Sequence, residues 1–119
     1  MAKYVDGFVI PVPKKNVAAY KKVAKIAGKV WKEYGALEYI ECMADDVKPG
    51  KHTSFPQSVK LKNNEVVFFS YIVYKSRAQR NSILKKVMKD PRIAGFGPEM
   101  MPFDGKRMIY GGFKPLVSM

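Results

Sequence analysis

The segment that most constrains the fold is residues 66–74, VVFFSYIVY, in which Ser70 is the single small polar residue among eight apolar or aromatic ones. A β-strand turns alternate side chains to opposite faces of its sheet, so this segment presents bulky apolar side chains on both faces. A half-solvated antiparallel strand alternates apolar and polar residues instead. The segment therefore predicts a strand in a sheet that is covered on both sides.

The chain has 119 residues, which we expect to form one domain over residues 1–119 with a core that needs no disulfide. Cys42 and His52 are the only residues of their types, so neither an intrachain disulfide nor a multi-cysteine metal cluster can form. The N-terminal residues lack the pattern of a secretory signal, and no segment has the roughly eighteen consecutive apolar residues of a membrane span. The sequence predicts a cytoplasmic protein with no metal, no cofactor and no membrane partner.

Two segments predict helices. Residues 17–34 place apolar side chains at helical spacing after Asn16, and residues 77–89 do so after Ser76. Asn and Ser are favoured N-cap residues, so each is expected to begin its helix. Both segments also carry most of the positive charge. The net charge of the chain is +12, and residues 14–32 and 75–92 together carry +13.

Alternating and apolar segments predict the strands, and residues 95–104 are expected to be irregular. The predicted strands are residues 4–12, 36–45, 66–74 and 107–117, with a short extra strand over 58–62 that forms a small hairpin. The resulting order matches the ferredoxin-like βαββαβ arrangement of the α+β class. Right-handed crossovers put both helices on one face of an antiparallel sheet. A second copy of the chain is expected to cover the other face, giving a homodimer.

Five blocks of sequence resemble the YbaA-like family of uncharacterised bacterial proteins. The blocks are YVDGFVIPVP (4–13), GALEYIECMADDV (35–47), SFPQ (54–57), VMKDPR (87–92) and MMPFDGKRMIYGGF (100–113). The resemblance implies membership of the dimeric α/β-barrel superfamily, in which two ferredoxin-like subunits face their sheets together, often around a small-molecule pocket. That superfamily includes cofactor-free monooxygenases, isomerases, haem-binding enzymes and proteins without known activity, so the resemblance leaves the reaction open.

Nine residues are candidates for a pocket between the two sheets. Asp6 and Glu41 share strand parity with aromatic residues, so we expect each carboxylate to face this pocket and to serve as a general acid or base. The structural alternative is an ion pair between subunits, for example with Arg107, or a carboxylate that reaches water at the rim. His52 lies in a loop that could close over the pocket. The candidates are Tyr4, Asp6, Phe8, Tyr39, Glu41, His52, Ser70, Arg107 and Tyr110.

The first predicted helix also has a lysine-rich face, formed by Lys21, Lys22, Lys25, Lys29 and Lys32. Such a face could bind nucleic acid or another anionic partner. No aromatic residues are interleaved with these lysines and the chain has only four arginines, so base stacking and bidentate base contacts are not indicated. A solvated face of an amphipathic helix has the same pattern.

Three functions therefore remain open. The first is binding of a small apolar or aromatic molecule between the sheets, with or without isomerase-like or monooxygenase-like catalysis. The second is binding of nucleic acid or an anionic partner through the lysine-rich face. The third is a structural or stress-related dimer without a ligand. The isolated carboxylates on an apolar strand pattern favour the first.

Overall fold

The computed structural model describes residues 3–96 and 101–119, which form a four-stranded antiparallel sheet with two long helices. The strands are β1 (Tyr4–Pro13), β2 (Glu38–Met43), β3 (Glu65–Tyr74) and β4 (Ile109–Phe113). The helices are α1 (Val17–Glu33), α2 (Phe55–Ser58), α3 (Arg77–Lys89) and α4 (Pro91–Ala94), and a 3₁₀ turn (Lys14–Asn16) precedes α1. The strand order β2-β3-β1-β4 confirms the predicted ferredoxin-like α+β fold. None of the described helices is both long and apolar enough to cross a membrane.

The apolar segment 66–74 forms most of β3, which is a central strand. It pairs with β1 over ten residues, from Tyr74 opposite Tyr4 to Glu65 opposite Pro13. Its other edge pairs with β2, and β4 pairs with the free edge of β1. One face of the sheet lies under α1 and α3. Part of the other face is covered by the chain itself, because Val59 packs against Val9 and Val67 there.

The helix ends follow local chemistry. The Ser76 hydroxyl accepts a hydrogen bond from the Gln79 amide at 3.0 Å, which confirms the predicted N-cap of α3. Asn16 occupies the N-cap position of α1, but its side chain makes no capping bond and its Nδ2 donates to the Pro102 carbonyl at 3.2 Å. Gly35, with φ of 114°, turns the chain from α1 towards β2 in a conformation that other residues rarely adopt.

The predicted hairpin strand over residues 58–62 is wrong. Ser54 caps the short helix α2 instead, accepting from the Gln57 amide at 3.2 Å, and Lys60 takes a left-handed φ of 50°. The Val59 and Lys60 carbonyls accept hydrogen bonds from Arg107 at 3.3 and 3.0 Å. These two carbonyls are therefore engaged by a side chain rather than by a neighbouring strand.

Two predicted strands are longer than those observed. β2 spans Glu38–Met43 rather than 36–45, and β4 spans Ile109–Phe113 rather than 107–117. Of the predicted irregular segment 95–104, residues 97–100 lie outside the described residues.

The two faces of the sheet are the reverse of those predicted. Tyr4, Phe8 and Tyr39 were placed on the face away from the helices, but all three pack in the cluster that contains Val30 of α1 and Ile83 of α3. The expected pocket residues on these strands therefore lie under the helices rather than between two sheets. Both faces of the strands are rich in apolar residues, so alternation alone could not identify the helix side.

Candidate functional site

A cavity of about 440 Å³ lies between the sheet and the helices α1 and α3. This helix-side cavity is within the size range of small-molecule sites, roughly 300–1,000 Å³. Its walls are mostly apolar and aromatic. Residues from the sheet include Asp6, Phe8, Tyr39, Glu41, Ser70, Ile72 and Tyr110, and residues from the helices and the segment before β4 include Tyr20, Trp31, Arg80, Leu84, Met88, Phe103 and Met108.

Strand register brings four of these residues into one row across the floor of the cavity. Ser70 pairs with Phe8 on one side and with Glu41 on the other, and Phe8 pairs with Tyr110. The rings of Phe8 and Tyr110 stack with centroids 6.1 Å apart. Ser70 is 4 % exposed, so the small polar residue of the apolar strand lies buried on the cavity floor.

A buried acid and a partly buried arginine meet at one end of the cavity. The Nε of Arg80 lies 3.4 Å from Oδ1 of Asp6, and the Nη2 of Arg80 donates to the Tyr4 hydroxyl at 3.1 Å. The guanidinium also lies over the Tyr4 ring, 4.9 Å from its centroid. Within the described residues, the buried Nε has no hydrogen bond of good geometry. Its nearest acceptor is the Asp6 carboxylate.

Gly112 leaves room for the side chains around Arg80, and burial changes the pKa of Asp6. A Cβ at Gly112 would overlap the Tyr4 hydroxyl and the Arg80 Nη2, so any larger residue where β4 passes this pair would displace their side chains. Burial raises the pKa of Asp6, and the positive charge of Arg80 and a hydrogen bond with the Tyr74 hydroxyl oppose that shift without cancelling it. A carboxyl with a raised pKa is a stronger base when it is ionised.

A second polar group joins α1 to β2. One carboxylate oxygen of Glu41 accepts from the Tyr20 hydroxyl at 2.8 Å, and the other accepts from the Tyr39 hydroxyl at 2.9 Å. Burial and the Glu41 carboxylate raise the pKa of both Tyr20 and Tyr39 far above the usual value, so both stay protonated donors. A Cβ at Gly28 would lie 2.9 Å from the Tyr39 ring, so glycine lets this ring rest against α1.

A more open groove of about 580 Å³ lies between α1 and the edge strand β2. Four of the five residues of the predicted lysine-rich face border it, and Lys22 does not. Tyr20, Ala24, Tyr39 and Glu41 line both the groove and the helix-side cavity, so they form the wall between the two. The lysines are Lys21, Lys25, Lys29 and Lys32.

The structure gathers six of the nine predicted pocket residues around the helix-side cavity: Asp6, Phe8, Tyr39, Glu41, Ser70 and Tyr110. Tyr4 lies next to the cavity, where it holds Arg80. His52 is exposed in its loop and does not line the cavity. Arg107 also lies elsewhere, because it pairs with Glu65 and Asp104 of its own chain.

Sequence reasoning missed Arg80 as a site residue. It precedes Ile83, Leu84 and Val87 at helical spacing, so it lies on the apolar stripe of α3. An arginine on a buried stripe needs an acidic or aromatic partner, and this signal could have placed Asp6 under the helices. Within residues 3–96 and 101–119, no group of three His, Cys, Asp or Glu side chains is positioned to hold a metal ion.

The comparison with protein families agrees with the resemblance seen in the sequence blocks. The family described as "Protein of unknown function (DUF1428)" matches residues 3–105. The chain belongs to the DUF1428 family. It is 51 % identical over 116 residues to the uncharacterised protein YbaA of Escherichia coli K12, with 98 % of each chain covered, and the same values hold for YbaA of Shigella flexneri.

Solved structures share the fold of this DUF1428 chain at low identity. A dimeric ferredoxin-like protein from an uncultured marine organism has a TM-score of 0.59 and 14 % identity, covering 100 % of this chain and 98 % of the other. The "putative antibiotic biosynthesis monooxygenase" of Nitrosomonas europaea has a TM-score of 0.58 and 11 % identity, covering 96 % and 90 %. At these identities the likeness concerns the fold alone.

Proposed function

We propose that this protein binds a small apolar or aromatic molecule in the helix-side cavity and acts on it as a cofactor-free enzyme of the isomerase or monooxygenase type. The observation that carries the proposal is a largely apolar cavity with a buried acid and a partly buried arginine at one end. Such a combination is the usual form of a small-molecule site. The name of the Nitrosomonas europaea structure is consistent with this class of reaction and is not itself the basis for the proposal.

The proposed chemistry is a proton transfer. The Asp6 carboxylate takes a proton from an acidic C–H of the ligand, and the electron pair left behind delocalises onto a ligand oxygen. The guanidinium of Arg80, which lines the cavity, donates to that oxygen and stabilises the negative charge. Return of the proton from Asp6 to another carbon completes an isomerisation. In an oxygenation of a CH₂ group, dioxygen adds to the carbanion to give a peroxide anion, which takes the proton from Asp6 and then loses water to leave a carbonyl group.

Binding is tested with N-phenyl-1-naphthylamine, a neutral aromatic probe, and methionine labelled with ¹³C at its methyl group. Met88 and Met108 line the helix-side cavity, whereas Met119 does not and is fully exposed. We expect the signals of Met88 and Met108 to shift on titration and that of Met119 to stay in place. Shifts spread equally over all three, or none at all, would contradict binding in this cavity.

Catalysis is tested with 2-tetralone, an aromatic ketone with acidic C–H groups, by following its exchange in D₂O by NMR. We expect the protein to accelerate exchange and Asp6→Asn to lower that acceleration by about 100-fold or more, as for loss of a general base. Glu65→Gln is the control, because Glu65 is also a buried carboxylate paired with an arginine but lies outside the cavity. Equal loss in both variants, or no acceleration by the native protein, would contradict a catalytic Asp6.

We also propose that the protein is a homodimer that closes a barrel through the outer face of the sheet. This face exposes large apolar side chains: Phe69 is 44 % exposed, Ile109 45 % and Phe113 63 %. A contiguous apolar patch of this kind is a common mark of an interface. Because the cavity lies on the opposite side of the sheet, dimer formation leaves it available for a ligand.

A further inference from the structure

We infer that the ligand is an amphipathic anion, whose apolar body occupies the helix-side cavity and whose acidic head group lies in the lysine-bordered groove. This inference rests on the proposed function and adds a substrate class to it. It also gives a role to the lysine-rich face of α1, which the cavity alone does not explain.

Charge decides where an acidic head group belongs. Inside the cavity Arg80 is already balanced by Asp6, so no uncompensated positive charge is offered there by the lining residues. The groove carries four lysines and one carboxylate, Glu41, which gives a net charge of +3. Lysine ammonium groups in water attract anions and raise their local concentration.

The groove differs from a plain solvated helix face because its floor is apolar. Val17, Met43 and Phe68 line it together with the lysines, and Met43 is 55 % exposed. A surface with an apolar floor and a cationic rim is complementary to a molecule that has an apolar part and an anionic part. The lysines follow one another at spacings of four, four and three residues, so they form one row along α1.

The wall between groove and cavity is held by hydrogen bonds at its centre. Tyr20 and Tyr39 both donate to the Glu41 carboxylate, one hydroxyl to each oxygen. Their rings pack in the apolar clusters of the core, so opening the wall requires the rings to turn aside once these bonds break. We place the passage for the apolar body here, with the head group remaining on the lysine side of Glu41.

The test uses two probes that differ by one anionic group. 8-Anilinonaphthalene-1-sulfonate carries a sulfonate, and N-phenyl-1-naphthylamine has the same rings without it. Both gain fluorescence in apolar surroundings, and Trp31, the only tryptophan, lines the cavity and can transfer energy to either. We expect the sulfonate probe to bind more tightly, and its affinity to fall with added salt while that of the neutral probe does not.

The matched variants are two triple substitutions that remove the same charge. Lys21→Gln with Lys25→Gln and Lys29→Gln removes three groove lysines, while Lys32 is kept because its Nζ donates to the Leu37 carbonyl at 2.7 Å. The control replaces three exposed lysines of α3 that border neither space: Lys85, Lys86 and Lys89. We expect the groove variant to bind the sulfonate probe roughly tenfold more weakly, because each exposed charge pair contributes up to about a factor of five in affinity. Its affinity for the neutral probe should not change.

The outcomes separate the inference from the proposed function. If both probes shift the Met88 and Met108 signals but salt and the groove variant act on neither, the ligand is not an anion and only the inference fails. If neither probe reaches the cavity, the proposed function fails as well. Retention of RNA that is lost in the groove variant, with no effect on the sulfonate probe, would assign the lysines to nucleic acid and overturn the inference. If a variant does not fold, the salt dependence of sulfonate-probe binding to the native protein still tests whether the ligand is an anion.

Discussion

Asp6 is the side chain on which most of the proposed chemistry depends, and its environment is unusual for a strand residue. It is 7 % exposed, it faces a guanidinium at 3.4 Å without a well-aligned hydrogen bond, and burial outweighs that attraction. A carboxyl retained in such a place costs stability when it is ionised, and this cost makes Asp6 a candidate for a functional role.

This cost gives a prediction about pH. Because burial raises the pKa of Asp6 in the folded protein, the folded state binds more protons than the unfolded state, and this contribution to the free energy of unfolding falls as pH rises above the ordinary carboxyl pKa. Asn does not titrate. The stability of Asp6→Asn relative to the native protein should therefore increase between about pH 3 and pH 7, measured by urea unfolding.

Asp104 provides a control of opposite sign. Hydrogen bonds from Arg107 and from the Lys106 amide lower the pKa of Asp104, so its stabilising effect is present above the ordinary carboxyl pKa and is lost as pH falls. Asp104→Asn should become less stable relative to the native protein as pH rises. If both variants show the same slope, the assigned environment of Asp6 is wrong.

The sequence identified Asp6, Glu41 and Ser70 as unusual, and it could not tell which way they point. On β1, the set Tyr4, Phe8 and Ile10 alternates with Val5 and Val9, and both sets are apolar. The decisive contacts come from residues distant in sequence, since Arg80 is 74 positions from Asp6 and comes from α3. Such pairs follow from packing rather than from local pattern, which is why the pocket was placed on the wrong side of the sheet.

Helix α3 positions Arg80, and its stability depends on a local cap. The Ser76 hydroxyl accepts from the Gln79 amide, and the helix otherwise buries only Ile83 and Val87 fully. Ser76→Ala should lower the free energy of unfolding by about 1 kcal/mol, measured by urea unfolding. Ser82→Ala, at an exposed position within the same helix, is the control and should change it by less than about 0.5 kcal/mol.

The two long helices and the four strands of the sheet could be predicted because each has a local signal, whereas the short helices α2 and α4 were not predicted. Ser76 marks the start of α3, Gly35 follows the end of α1, and apolar spacing defines the faces of α1. The segment 58–62 alternates equally well but forms no strand, because Ser54 and Pro56 begin a helical turn and Arg107 engages the carbonyls that follow it. Arg107 lies about fifty residues away, beyond the reach of a local pattern.

The proposed dimer makes a prediction about association. Ile109 lies on β4 opposite Val9, which packs with Val59 and Val67 on the outer face, and Ile109 is 45 % exposed. Ile26 is 39 % exposed on α1, in the helical layer. We expect Ile109→Glu to raise the dissociation constant of the dimer by about 100-fold or more, because a two-fold interface buries the new charge twice.

Sedimentation equilibrium of the native protein, Ile109→Glu and Ile26→Glu measures this effect. Ile26→Glu should associate as the native protein does. A native protein that is monomeric at micromolar concentration, or equal loss of association in both variants, would refute dimer formation through this face.

The strand order has a consequence for how the protein is made. The two central strands, β1 and β3, are the first and the third in sequence, and β3 ends at Tyr74. More than half of the chain must therefore leave the ribosome before β1 can find its longest partner. Until then β1 and β2 lack the central strand that joins them, so part of their apolar surface stays uncovered, which is the condition under which chains aggregate. A nascent chain halted before Glu65 should be a client for chaperones, whereas one extended past Tyr74 can already assemble the centre of its sheet.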